Sequence, residues 1–572
     1  MKITLVASTI YRNNPDYDTP ERTQSIALLK LWCDKAPEIA GKTEIRNLYI
    51  PLKLGDTAFP ERYIEEILST RPDVVGLSCY VWNVEAMLNL SRELKKRDNR
   101  LKIILGGIAA TARSFRILSE NPAVDIIVRG EGEVPLEMMI RGNFENLHEI
   151  QGISFRENGS VREIGPPWFF KDLSLIPSAY AEGMVDTKYD YISIEISRGC
   201  PYDCAFCSRV SQTRHLRHFP LERIKREIEW ARDNGVKTIF FNETNTNPAG
   251  ARFFEVVNAI REVYGEREFN LGINIDVACQ TPDVINGLSG IPFDKIMFGV
   301  QTLNPASQKA IHRRAADLGK LKSALIAASE LGTVQVDIIL GLPGDDLEGF
   351  KMTVEWLGDI SRENPGVIGL IVVFLAIAIP GTPMGDRPAE FGIRKIASPG
   401  IPYVIETDSF PRKDLVKAMF YLSERMDEIP VCWVDTDPIG FFPEIEPLDA
   451  FFKRAYKKTE KERQKGGTGR TERKTPARMT SILAFLEPEL IVDKEAKEGW
   501  LFSGCSDSAE GFVLAFEKEG GGFAKVILSE RDDGKPAYCR TRNFNFSYQK
   551  IGAGVDMSFI DHIKEIVGRK DR

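Results

Sequence analysis

Hydrophobic positions in the first 135 residues form short apolar runs separated by amphipathic stretches of helical period. Residues 3–7, 73–78, 101–107 and 125–130 read as buried strands, and residues 23–33 and 84–96 as helices between them. Buried strands alternating with helices build a parallel, doubly wound α/β sheet, whose ligands bind beyond the carboxyl ends of the strands. Those ends carry Ser8, Ser78, Tyr80, Gly106, Gly107, Gly130 and Glu131. Over residues 149–185 the pattern breaks into short strands, turns and prolines, which predicts a connector after a first domain spanning residues 1–148. A second βα series follows, with strands expected at 191–197, 238–242, 269–275, 295–301, 334–340 and 369–377. Six βα units fall short of an eight-stranded closure, so a partial (β/α)6 barrel is expected over residues 186–395. A helix at 413–426 and a basic linker fill residues 396–478. A small α+β unit is expected over 479–572, with strands at 511–516 and 523–528 and a helix at 558–567.

Composition narrows the class. Hydrophobic residues make up 43% of the 572 and charged residues 27%, a globular balance that excludes a largely disordered chain. Lys and Arg number 75 against 82 Asp and Glu, a net charge of -7, which argues against a nucleic-acid partner. Residues 453–478 depart from that balance, with 11 Lys or Arg against three Glu. They read as a solvated linker, or else as a dock for an anionic substrate or an acidic electron donor. The longest apolar stretch, residues 367–380, is too short to span a bilayer, and the first residues lack a signal-peptide pattern. A cytoplasmic protein without a membrane span is expected.

Nine cysteines are present, and six are scattered singly, which is no disulfide framework. The other three are bunched as Cys200-x3-Cys204-x2-Cys207. A zinc site normally shows paired Cys-x2-Cys knuckles or histidines at set spacings, although His215 and His218 lie just downstream. An iron–sulfur cube usually takes four cysteines; three leave one iron open for a substrate or cofactor. Cys279, expected on a strand-end loop of the barrel, is a candidate hydrogen-atom donor or acid, against the plainer reading of an inert core cysteine.

The cysteine motif, with Phe206 before its last cysteine, resembles the signature of the radical S-adenosylmethionine (SAM) enzymes. The likeness continues in chain order. Residues 240–247, with Asn242 and Glu243, resemble the second-strand acidic motif, and Gly299-Val-Gln-Thr-Leu-Asn304 the fourth-strand element containing Gln301. Gly341-Leu-Pro-Gly-Asp345 and Pro380-Gly-Thr-Pro383 resemble the fifth- and sixth-strand turns. The first domain, through Arg129-Gly-Glu-Gly-Glu133 and Ile150-Gln-Gly-Ile-Ser-Phe155, is similar to the Rossmann-like cobalamin-binding domain that precedes the barrel in one subgroup. This resemblance implies a [4Fe-4S] cluster on Cys200, Cys204 and Cys207, with SAM on the open iron. It implies SAM contacts from Phe206, Asn242, Glu243, Asp276, Gln301 and Gly341. It also implies a cobalamin pocket lined by Ser8, Ser78, Tyr80, Gly106, Gly107, Gly130 and Glu131.

The expected activity is methyl transfer to an unactivated carbon through a 5'-deoxyadenosyl radical and methylcobalamin. A small-molecule or peptide substrate and a low-potential donor such as flavodoxin or ferredoxin would serve it. Radical rearrangement, cyclisation or dehydrogenation without a cobalamin methyl donor is the rival, and a noncatalytic cobalamin or redox sensor is the alternative of another class. One departure from the cobalamin pattern is plain. Domains of the methionine-synthase type carry an Asp-x-His-x-x-Gly loop after the first strand, whereas Ser8-Thr-Ile-Tyr-Arg-Asn13 stands here and the first histidine is His148. The expected outcome is a cobalt without an imidazole beneath it. Electron paramagnetic resonance of the cob(II) form checks this: cobalt lines without nitrogen triplets agree, and triplets would bring in a barrel histidine such as His215 or His218.

Overall fold

The structure, a computed structural model, describes residues 1–11, 24–53, 56–185, 191–208, 213–241, 251–265, 269–275, 285, 288, 290–396, 401–425, 428–433, 500–508, 511–518, 523–530 and 544–551. Its first sheet has seven strands: β1 (Lys2–Tyr11), β2 (Glu44–Lys53), β3 (Val74–Ser78), β4 (Lys102–Gly106), β5 (Ile126–Val128), β6 (Ile153–Glu157) and β7 (Ser160–Ile164). Their order is β2-β1-β3-β4-β5-β6-β7, parallel from β2 to β5 and antiparallel for β6 and β7. Residues 3–8 of β1 are all buried, the mark of a parallel strand covered by helices on both faces.

Two features depart from the sequence reading. The edge strand β2 was not expected, because its Arg46, Asn47 and Pro51 interrupt the apolar run that signals a buried strand. The beginning of the expected connector instead completes the first sheet: β6 pairs with β5 through Ile126↔Phe155 and Val128↔Ile153, and β7 pairs with β6. Ile153 and Phe155 enter the domain's core, which local turn signals do not reveal.

The second series contains β8 (Tyr191–Ile194), the short strands β9 (Ser197–Arg198) and β10 (Arg217–His218), β11 (Thr238–Phe241), β12 (Asn270–Ile275), β13 (Phe293–Gln301), β14 (Gly332–Leu340) and β15 (Leu370–Leu375). An antiparallel hairpin of β16 (Ile393–Ile396) and β17 (Val404–Thr407) follows, then β18 (Val431–Trp433). Strands β8, β11, β12, β13, β14, β15 and β18 form one all-parallel sheet in that order. It therefore has seven described strands where six were expected. Three residues make β18 too short for a period to register, and pairing with Ile371 to Val373 defines it.

The last sheet is antiparallel, with β19 (Trp500–Ser508), β20 (Gly511–Lys518), β21 (Phe523–Glu530) and β22 (Phe544–Ile551) in sequential order. The two expected strands fall in β20 and β21. The expected helix at 558–567 and the basic stretch at 453–478 lie outside the described residues. Among the described residues no helix is long and apolar enough to cross a membrane.

Candidate functional site

The three cysteines lie on the loop that follows β9, and backbone hydrogen bonds hold it. Cys200 N donates to Thr213 O at 3.1 Å, Ala205 N to Ile311 O at 2.9 Å, and Met384 N to Ala205 O at 3.1 Å. Gly199 precedes the first cysteine at φ +102, where a Cβ would lie 2.3 Å from His215 O; only glycine allows that approach. Ala205 is fully buried against Ile311, Leu342 and Met384, and Phe206 packs on the same cluster. Cys200 is 8% exposed, while Cys204 and Cys207 are half-buried. Arg313, absent from the sequence-based candidates, donates from Nη1 to Cys204 Sγ at 3.8 Å and from Nη2 to Gly299 O. No motif singled it out, because it reaches the loop from a different βα unit.

Among the described residues no group of three or more His, Cys, Asp and Glu side chains is placed to hold one metal ion. A [4Fe-4S] cube makes a different demand, because each thiolate takes its own iron. A short loop of three thiols with an apolar backing suits that donor set. His218 pairs with Ser197 across the β9–β10 ladder, and His215 is exposed.

The barrel strands bring two of the other candidates beside this loop. Gln301 ends β13 at φ +66, an uncommon conformation for a residue with a side chain, where the ladder to β14 shifts register between Gly299 and Gln301. Strain of this kind persists only where the surroundings over-determine it. Here Thr302 Oγ1 and Asn304 Nδ2 each donate to the fully buried carboxylate of Asp345 at 2.9 Å. That carboxylate ties the Gln301 loop to the turn carrying Gly341 at φ +86. Burial raises the Asp345 pKa above the ordinary carboxylate value, and the two donors oppose the rise. One register step from Gln301 lies Asp337, opposite Gly299, whose carboxyl burial raises to about 6 against a hydrogen bond from Gln335 at 2.7 Å. Asp337 lies half-buried inside an apolar run, and its raised pKa beside Gln335, not any motif, singles it out. Asn242, Glu243, Asp276 and Cys279 lie outside the described residues.

In the first domain, Ser78, Tyr80, Gly106, Gly107, Gly130 and Glu131 all line one cavity of ≈ 190 Å³. Its walls are apolar, from Leu5, Ile26, Val74, Ile104 and Val128. An apolar cavity of about 150 Å³ accepts a benzene ring, so this one has room for a larger flat arene. Ser25 Oγ, in the cavity wall, is buried without a hydrogen-bond partner among the described residues. An orphaned buried donor of this kind fits a polar ligand. Tyr80 and Trp82 stack on each other at 4.5 Å with 3° between their planes. Ser8 is not among the lining residues: its Oγ is 2.6 Å from Asn83 Nδ2 and belongs to the loop's internal support.

A nearly buried ion-pair clamp joins this cavity to the cysteine loop. Glu131 takes Arg217 in a bidentate pair, with Oε1 to Nη2 at 3.0 Å and Oε2 to Nη1 at 3.2 Å, and accepts from Phe170 N at 2.6 Å. Arg198 reaches Glu133 at 3.2 Å, Glu195 at 3.2 Å and Glu131 at 3.6 Å. Burial works against the charge on Arg198, and Glu195, Glu133 and Glu131 overcome it, so its pKa lies above the usual arginine value. Arg198 lines the cavity and stands two residues before Cys200.

Residues 44–140 match the B12 binding domain family and residues 194–357 the Radical SAM superfamily. The chain is 27% identical over 390 residues to the cobalamin-dependent radical SAM methyltransferase TokK of Streptomyces tokunonensis, covering 61% of this chain and 56% of that protein. It is 25% identical over 426 residues to the 2-(S-pantetheinyl)-carbapenam-3-carboxylate methyltransferase of Streptantibioticus cattleyicolor, covering 68% and 60%. The matched part thus spans under two thirds of either relative. In fold it is similar to the radical SAM methyltransferase TsrM of Kitasatospora setae, solved with cobalamin and a [4Fe-4S] cluster bound. That likeness has a TM-score of 0.59 and 14% identity, covering 81% of this chain and 99% of that one.

Two outcomes follow from the site's electrostatics. Glu131→Ala leaves Arg217 and Arg198 facing each other without their shared carboxylate. Loss of one partner from a buried pair costs about 3 kcal/mol, so the urea midpoint of the first transition should fall accordingly, and less for Glu131→Gln. Asp337 has a folded pKa of about 6 against an ordinary 3.8, so its contribution favours the fold below pH 3.8 and is lost as pH rises through 6. Asp337→Asn should therefore stabilise the protein by roughly 1–3 kcal/mol at pH 8, and by about half as much at pH 5, in paired urea unfolding curves.

Proposed function

We propose, because this chain belongs to the cobalamin-dependent radical SAM enzymes, that it transfers a methyl group to an unactivated carbon of a small molecule or peptide. The observation that carries the reading is the placement of Arg198, which lines the first domain's cavity and leads directly into the cysteine loop. A radical generator and a methyl carrier must both reach one substrate carbon, and the clamp holds their two sites together. When bound, the cluster with SAM supplies a 5'-deoxyadenosyl radical and the corrinoid supplies the methyl group.

The residues of the chain have separate tasks in this reading. Cys200, Cys204 and Cys207 ligate the cluster, and the Arg313 guanidinium adds a charge-assisted donor to the Cys204 sulfur. Phe206 backs the loop through its packing on the apolar cluster that contains Ile311 and Met384. Gln301 and Asp337, on neighbouring strands, present an amide and a carboxyl toward hydroxyl groups of a bound nucleoside. The Gly106–Gly107 and Gly130 turns admit the corrinoid's nucleotide tail into the apolar cavity, where the Ser25 hydroxyl finds a partner. A low-potential one-electron donor completes the system.

Anaerobic reconstitution with isotopically methyl-labelled SAM tests the proposal. The expected outcome is corrinoid retention, 5'-deoxyadenosine release and label transfer into members of a candidate substrate pool. Replacing Cys200, Cys204 and Cys207 together with Ala should remove the brown chromophore and lower 5'-deoxyadenosine release by at least a hundredfold, roughly 3 kcal/mol or more in barrier terms. Retained reductive cleavage in that variant would overturn the site. Absence of any corrinoid uptake by the wild type would turn the reading to a cobalamin-free radical reaction.

A further inference from the structure

The whole chain is acidic, with a net charge of -7, yet one exposed face behind the cysteine loop is cationic. Of the five Lys or Arg between residues 305 and 322, Arg313 turns in to Cys204 and Lys322 pairs with Glu363, which leaves Lys309, Arg314 and Lys320 against the one Asp of that stretch. Lys309, His312 and Arg314 are exposed there, and Lys309 and Arg314 have no ion-pair partner among the described residues. Arg314 lies over the ring of Tyr202, inside the cysteine loop, with Cζ 5.5 Å from the ring centroid. Beside them opens a hollow of ≈ 530 Å³, edged by Lys309, His312 and Arg387 with Pro343 and Phe391 as its apolar wall. Glu390 is the acid in that lining, and it is already paired with Arg387 at 2.8 Å.

What lies under this face matters as much as its charge. His312 flanks Ile311, whose carbonyl accepts from Ala205 N, and Pro343 flanks Leu342. Ile311, Leu342, Met384 and Ala205 are all fully buried and mutually packed. One dry layer of side chains therefore separates the hollow from the segment between Cys204 and Cys207. Unpaired surface cations cost little in water, but they attract a polyanionic surface at long range and speed its productive encounter.

We propose that this face, centred on Lys309 and Arg314, docks an acidic, low-potential electron-carrier protein and admits its electron to the cysteine loop through the Ile311–Ala205 layer. The inference rests on the cluster part of the function proposed above and not on methyl transfer. The step is a single-electron transfer: an anionic flavin hydroquinone is oxidised to the neutral semiquinone, the cluster is reduced from the 2+ to the 1+ state, and no atom moves.

Stopped-flow reduction of the reconstituted full chain tests it, with reduced flavodoxin as the probe and reduced methyl viologen, a small cation, as the control. In Lys309→Glu/Arg314→Glu the bimolecular rate constant with flavodoxin should fall at least tenfold at low salt, and its dependence on ionic strength should flatten. The viologen rate and the iron content should stay at the wild-type level or, for the rate, rise. If iron content drops in that variant, the neutral pair Lys309→Gln/Arg314→Gln replaces it, with a threefold or larger loss expected. A flavodoxin rate within twofold of wild type overturns the proposal, and this is the outcome if the face receives a polyanionic substrate instead. Equal slowing with both reductants also overturns it, because the cluster itself is then disturbed. A wild type that holds no cluster chromophore overturns the underlying functional reading before any rate is measured.

Discussion

Arg198 of β9 and Arg217 of β10, a two-stranded ladder outside the second large sheet, meet Glu131 and Glu133 just beyond β5, and the two domains become one device through that meeting. Each arginine is 11–14% exposed and Glu133 only 6%, so the charges sit in a medium where they are costly unless paired. The pairing is close to complete: Glu131 binds Arg217 by both oxygens and also takes a backbone N–H from Phe170. Directional contacts of this kind permit one relative placement of the domains, which nonspecific apolar packing would leave looser. The cavity of the first domain and the cysteine loop of the second consequently face each other through a shared residue.

Both sites exploit the same property of parallel sheets. Every strand from β2 to β5, and every strand of the barrel sheet, runs in one direction, so the loops at the carboxyl ends gather on one edge. In the first domain those loops are glycine turns, and Gly130 at φ +90 approaches Trp168 so closely that a Cβ would lie 2.2 Å from its carbonyl oxygen. The approach lets Glu131 N donate to Trp168 O and delivers the Glu131 side chain to the arginines. In the barrel the corresponding ends carry Gln301 and the Asp345-anchored turn. A buried carboxylate holds two loops in register there, and the strained backbone of Gln301 is kept in place by it.

Order along the chain was enough to single out the three closely spaced cysteines, the glycine turns and the alternation of strands with helices. Each depends on residue types within a few positions of one another. The strands β2 and β18 escaped because a short or polar-interrupted strand has no distinctive period, and the short strands expected where β6 and β7 lie gave no sign that they complete the first sheet; only the neighbouring strand supplies the hydrogen bonds and cover that define such elements. The spacing of Cys200, Cys204 and Cys207 was legible along the chain; the contact of Arg313 with Cys204, more than a hundred residues on, was not.

The sequence by itself determined the α/β class, the two-domain βα plan, the three thiols and the six residues that prove to line one cavity, because local spacing and turn chemistry set these. Tertiary structure alone decided that Ser8 supports Asn83 and does not line the cavity, and that Asp337 is a half-buried acid with a raised pKa within an apolar run. It alone decided that Glu131 joins the domains through Arg217 and Arg198. Charge pairing and burial depend on what lies across space from a side chain, and for Glu131 and Arg217 that distance along the chain is 86 residues.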